Sequence, residues 1–136
     1  ALAGASAATK GVDSTQGSEA AEEAARTLAR TYGCVAVASG AVDFLTDGER
    51  DLRLSGGSPL APQVTGMGCA ATAIVGAFLA VADAPLDAAL AGMGVMKVAA
   101  EMAGQDAAGP GSFEPAFRDA LHNLSASDLD DRLMVA

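Results

Sequence analysis

Thr65-Gly66-Met67-Gly68-Cys69 is the stretch whose reading decides the fold. Before it lies a Gly/Ser/Pro loop, Ser55 to Pro59, and after it an Ala-rich apolar run, Ala70 to Val81. The glycines permit a tight turn and let another molecule approach the backbone closely. The run that follows reads as a helix. A glycine turn opening into a helix aims several unpaired N–H groups at one spot, and the helix dipole adds partial positive charge there. The amides of Gly66, Met67, Gly68 and Cys69 are therefore expected to form an anion hole. Cys69 falls in the first helical turn, where a thiol is most readily ionised. An anion site beside an activatable side chain points to group transfer, most simply of a phosphoryl group.

Upstream, Gly11 to Gly17 is a polar turn. Ser18 is placed to cap a helix that carries Glu19, Glu22 and Glu23 at its start and ends at Tyr32 and Gly33. Cys34 to Ser39 is a short apolar run after a helix, the pattern of a buried parallel strand. Val42 to Thr46 and Arg50 to Leu54 flank Asp47-Gly48, a hairpin signal. Arg50, Asp51 and Arg53 suit the exposed face of an edge strand. Downstream, Asp83 is a candidate cap and Pro85 a first-turn residue for a helix from Leu86 to Ala103. Its apolar face holds Leu90, Met93, Val95, Met96 and Val98, and Gly92 and Gly94 allow close packing. Lys97, alone on that helix, is expected to extend its charge to solvent. Gly109-Pro110-Gly111 is a loop before a helix capped by Ser112, and His122 closes that helix on the side its dipole favours. Ser127 and Asp128 start a short last element, and Leu133 to Val135 is either a final edge strand or a loose tail. This order predicts an α/β fold occupying residues 1–136 as part of one domain. Its sheet is expected to be mostly parallel and flanked by helices. So few strands imply a sheet completed from elsewhere.

With 51% hydrophobic residues, much of it alanine, and no Trp, the 136-residue chain must pack by close approach of helices rather than by aromatic anchors. A formal charge of −9, from 17 acidic and 8 basic residues, argues against nucleic acid or an anionic membrane surface as partner. No apolar stretch is long enough to span a bilayer, and Ala1 to Thr9 lacks the features of a signal peptide. Two cysteines make no disulfide framework; Cys34 is expected to be buried and inert, and free thiols fit a cytoplasmic location. No P-loop pattern is present, and no Cys/His spacing suits a metal.

Four segments in order resemble the C-terminal half of the hydroxyethylthiazole kinase family, within the ribokinase-like superfamily. They are Gly11-Val12-Asp13-Ser14, Val37 to Phe44 with Thr46-Asp47-Gly48, Val64 to Cys69, and Gly109 to Phe117. The resemblance covers Gly11 to about Leu124. It implies ATP- and Mg²⁺-dependent phosphorylation of the hydroxyl of 4-methyl-5-(2-hydroxyethyl)thiazole, in thiamine salvage, by a homotrimer with active sites at subunit boundaries. It places the catalytic role on Cys69, a substrate contact on Gly66 and an ATP contact on Ser39, where the family has Thr. Met67 stands where a small residue is common and is expected to act through its backbone. The family's N-terminal half supplies a substrate-side methionine, an ATP-contacting arginine and acidic residues near the metal. None of these falls in this sequence. Ala1 to Gly4 is read as the end of the preceding helix, and the chain as a fragment that associates with that half.

Two roles stay open for Cys69: accepting the alcohol's proton, or only orienting the alcohol. Against both stands a small residue packed at a helix start. For Ser39 the alternative is a hydroxyl bonding its own turn. A hydroxymethylpyrimidine-type kinase is a second enzyme reading, disfavoured by Cys rather than Asp at position 69. A non-catalytic assembly or nucleotide-binding half is a third.

Overall fold

The structure, a computed structural model, describes residues 18–136, so the expected turn at Gly11 to Gly17, the Gly11 to Ser14 motif and Ala1 to Gly4 lie outside the described residues. Its elements are helix α1 (Ser18–Tyr32), strands β1 (Ala36–Ala38), β2 (Asp43–Thr46) and β3 (Asp51–Ser55), helices α2 (Met67–Leu79), α3 (Pro85–Asp106), α4 (Pro110–Asn123) and α5 (Ala126–Arg132), and strand β4 (Met134–Val135). A single 3-10 turn at Ala61–Gln63 precedes α2.

Helix α3 is the axis of the molecule. Toward one end, Leu86, Ala89 and Met93 pack against Leu45 and Leu54 of the sheet. Toward the other, Met96, Ala99, Ala100 and Ala103 pack against Phe113, Phe117 and Ala120 of α4. Pro85 takes the first helical position, where its missing N–H is no loss, and Ala84 rather than Asp83 is the cap. The expected close approach at Gly92 is present. A methyl group there would come 2.6 Å from Val75 Cγ2 and 2.8 Å from Val75 Cα, so α2 lies almost backbone to backbone on α3.

The α/β class holds, but the expected parallel sheet is corrected. The strands run in the order β1-β2-β3-β4, and all three pairings are antiparallel. The reason is connection length: Ser39 to Val42 is too short for the crossover that parallel neighbours need. β1 is not buried either; its residues are half-buried or exposed. The hairpin is as expected, with Thr46 opposite Asp51. Asp47 Oδ1 accepts from the N–H groups of Glu49 (3.0 Å) and Arg50 (2.7 Å). Those backbone bonds, Arg50's first, hold the Asp47 carboxyl down to about 2. Gly48 sits at φ 95, and its N–H donates to Thr46 Oγ1 at 3.0 Å. The C-terminus is a strand, not a loose tail: Met134 pairs with Ser55, and Ala136 exchanges two backbone bonds with Arg53.

β3 is therefore an inner strand rather than an edge, and its charged side chains, though still partly exposed, have a helix beside them. They meet α1. Arg53 bonds Glu22, and Arg26 bonds Asp51 at 2.8 Å, while both guanidiniums lie over the Phe44 ring, at 5.2 and 4.8 Å from its centre. Arg53 holds the Glu22 carboxyl below its usual range. The alternation of β2 then aims Asp43 and Leu45 at α3 and Phe44 at α1. Helices thus cover both sheet faces. Two further expectations shift. Helix α4 begins at Pro110, two residues before Ser112, whose hydroxyl accepts from Gly109 N–H at 3.3 Å. Cys34 is exposed, not buried. No helix among the described residues is long and apolar enough to cross a membrane.

Candidate functional site

The glycine turn becomes the start of α2. Gly66 is the cap residue at φ 94, ψ −5, a left-handed conformation that disfavours any side chain. Its carbonyl accepts from Ala70 N–H at 2.9 Å, the first bond of the helix. The amides of Met67, Gly68 and Cys69 precede that bond and have no acceptor within the helix. No side chain caps them. Gly66, Gly68 and Cys69 are exposed, and a methyl group on either glycine would meet nothing within 4 Å. The Cys69 thiol is free and exposed. The Met67 side chain does more than its backbone: half-buried, it packs against the Phe113 cluster and anchors the turn to the core.

Ser39 stands elsewhere, exposed at the end of β1, where the connection to β2 begins. Among the described residues no hydrogen bond joins it to the glycine turn. Between the two regions lies a group that sequence reasoning placed in solvent. Lys97 is only 11% exposed, and its Nζ donates to the carbonyls of Gly40 (2.9 Å) and Ala41 (3.0 Å) while lying 3.3 Å from Asp43 Oδ1. Asp43, 3% exposed, also accepts from Gly40 N–H at 2.8 Å. Burial pushes the Asp43 carboxyl up, and the Gly40 amide and the Lys97 ammonium oppose that. A signal existed in the sequence: a lone cation on a largely apolar helix requires a buried acceptor if it cannot reach water.

The described residues include no group of three or more His, Cys, Asp or Glu side chains able to hold a metal ion. By themselves they do not make a Mg²⁺ site. A shallow depression of about 170 Å³ lined by Cys34, Asp47, Arg50 and Pro85 contains none of the expected site residues. It is smaller than a typical small-molecule pocket, roughly 300–1,000 Å³.

The sequence matches the hydroxyethylthiazole kinase family over residues 1–127. It is 52% identical over 135 residues to the hydroxyethylthiazole kinase of Nitratidesulfovibrio vulgaris strain Miyazaki F, covering 99% of this chain and 51% of that protein. It is 49% identical over 130 residues to the enzyme of the same name from Cereibacter sphaeroides, covering 96% and 49%. In structure it resembles the hydroxyethylthiazole kinase protein of Pyrococcus horikoshii, with a TM-score of 0.82 and 33% identity over 87% of this chain and 46% of that one. The chain spans about half the length of the curated relatives it matches. From the order of its motifs, its fold and these likenesses, the chain belongs to the hydroxyethylthiazole kinase family.

Proposed function

We propose that this chain is the part of an ATP-dependent kinase that carries the phosphoryl-transfer turn, acting on the hydroxyl of 4-methyl-5-(2-hydroxyethyl)thiazole in thiamine salvage. The observation that carries the reading is the exposed start of α2. There a left-handed glycine leaves three amides without helical acceptors beside a free thiol. Phosphoryl transfer needs positioning and charge stabilisation more than covalent chemistry. The amides of Gly66 to Cys69 face the γ-phosphoryl as its charge shifts, and each such preorganised donor contributes about 3–4 kcal/mol to transition-state stabilisation. Cys69 stands beside the substrate hydroxyl and takes or orients its proton. Gly66 contacts the thiazole and the Ser39 hydroxyl contacts ATP. Mg²⁺ would supply charge neutralisation at the phosphates. In this reading, residues matching the remaining length of the relatives complete the site, in a cytoplasmic homotrimer.

Cys69→Ala in the active enzyme tests it. The expected result is a fall in kcat of about 10²-fold or more with the ATP dissociation constant little changed, as for loss of an acid–base group acting in the transition state. A raised ATP dissociation constant with unchanged kcat would contradict the role given to the thiol. Preference for hydroxymethylpyrimidine over the thiazole alcohol would overturn the substrate.

A further inference from the structure

The connection Ser39 to Val42 is exposed over Ser39, Gly40, Ala41 and Val42, yet it is bound at three points. An ammonium group has three N–H donors. Those of Lys97 face three acceptors, Gly40 O, Ala41 O and Asp43 Oδ1, all on or beside this connection. Gly40 is held from both sides, its N–H by Asp43 and its carbonyl by Lys97. The peptide planes on either side of Gly40 are therefore each fixed by one bond. The same lysine also bears on a second loop. A methyl group on Gly57 would come 3.2 Å from Lys97 Cδ, so the loop leading to the glycine turn lies directly on its stem. One turn along α3, Glu101 Oε2 underlies Gly56, and Gly104 makes room for Ser58, with a methyl group there 2.6 Å from Ser58 Oγ. Residues 97, 101 and 104 share one helix face, and that face seats the Gly56 to Ser58 loop.

We propose that Lys97 is a positioning residue, which with Asp43 ties the Ser39 to Val42 connection and the Gly56 to Ser58 loop to one face of α3. The hydroxyl expected at the nucleotide and the lead-in to the anion turn are thereby held in one frame. What the first loop touches rests on the kinase reading above; the tether itself does not. Stability alone gives no reason for the pair. Taking two charges out of water is costly, and buried ion pairs are often replaced by apolar residues without loss. What an apolar residue cannot do is bond two successive carbonyls of a surface loop.

The test replaces both charges together, Lys97→Met with Asp43→Asn, so that no unpaired ion is left buried. The tether predicts faster amide exchange over residues 39–42, with a smaller change over residues 56–58, which rest on a stem that Met largely keeps. It also predicts a KM for ATP raised about tenfold, the scale of one hydrogen bond to a charged group, with kcat changed much less. Unchanged exchange in both loops overturns the proposal, as does an unchanged KM for ATP in an enzyme active on the thiazole alcohol. A wild-type enzyme inactive on that alcohol overturns the kinase reading, and the exchange data then decide the tether alone. Wild-type protein supplies a further measurement that does not depend on the variant folding. The Gly40 amide, bonded to Asp43, is expected to exchange about tenfold more slowly than that of Ala41. Equal rates overturn the tether.

Discussion

Helices α2 and α3 have nearly the same vocabulary, alanine and glycine with a few aliphatic side chains, and opposite fates. Half of α3 is buried, from Leu86 to Ala103, whereas none of the thirteen residues of α2 is. Leu79 is 50% exposed and Val81, just beyond α2, 80%. Apolar composition therefore does not tell which helix forms the core. Contact decides it. α3 has the sheet on one side, α4 on another and α2 on a third; α2 packs along one stripe only, through Met67, Ala70, Ala71, Ile74 and Val75. The two helices divide the labour: α3 carries stability, and α2 presents its N-terminus. An apolar face left in water is unfavourable.

Core truncation breaks the comparison most sharply if it is wrong. Leu86→Ala on α3 is expected to cost about 2–5 kcal/mol of stability, and Leu79→Ala on α2 much less, because half of that side chain already meets water. Denaturant midpoints measure both, and equal losses would mean that α2 is as deeply integrated as α3. The glycines sharpen the same contrast at smaller scale. Gly92→Ala forces a methyl group against the Val75 backbone and is expected to destabilise by about 1–3 kcal/mol. Gly76→Ala, where a methyl group meets nothing within 4 Å, is expected to stabilise by up to about 1 kcal/mol through helix propensity alone. Thermal unfolding of the pair should therefore move in opposite directions.

What could be read from the residues follows the same division between local and tertiary causes. The Asp47-Gly48 hairpin, the glycine turn, Pro85 at the start of α3 and the close approach at Gly92 depend on backbone geometry that a few neighbouring residues impose, and each was legible. The direction of β1 was not. A short apolar run reads alike in parallel and antiparallel sheets, and only the length of the Ser39 to Val42 connection discriminates. The charges of β3 suggested an edge because alternation reveals a polar face and not what covers it; the salt links from Arg26 and Glu22 on α1 cover it. A lone cation on an apolar helix is ordinarily free to reach water, as expected of Lys97. Here two loop carbonyls and Asp43 stand in its way. Of the candidate site, the turn could be seen from five consecutive residues, while the link from Ser39 through Lys97 to Gly57 joins positions distant in sequence and has no local signature.

The seat of Val75 on Gly92 has a mechanical consequence. Gly92 has no side chain to hold α2 away, so the Val75 side chain and backbone set how closely the two helices approach at that point. Met67 lies about 12 Å along the axis from that point at 1.5 Å rise per residue. A tilt of α2 about that point by only a few degrees would displace its N-terminal tip by about half an ångström. The thioether of Met67, lodged in the Phe113 cluster, is the latch that opposes such rocking.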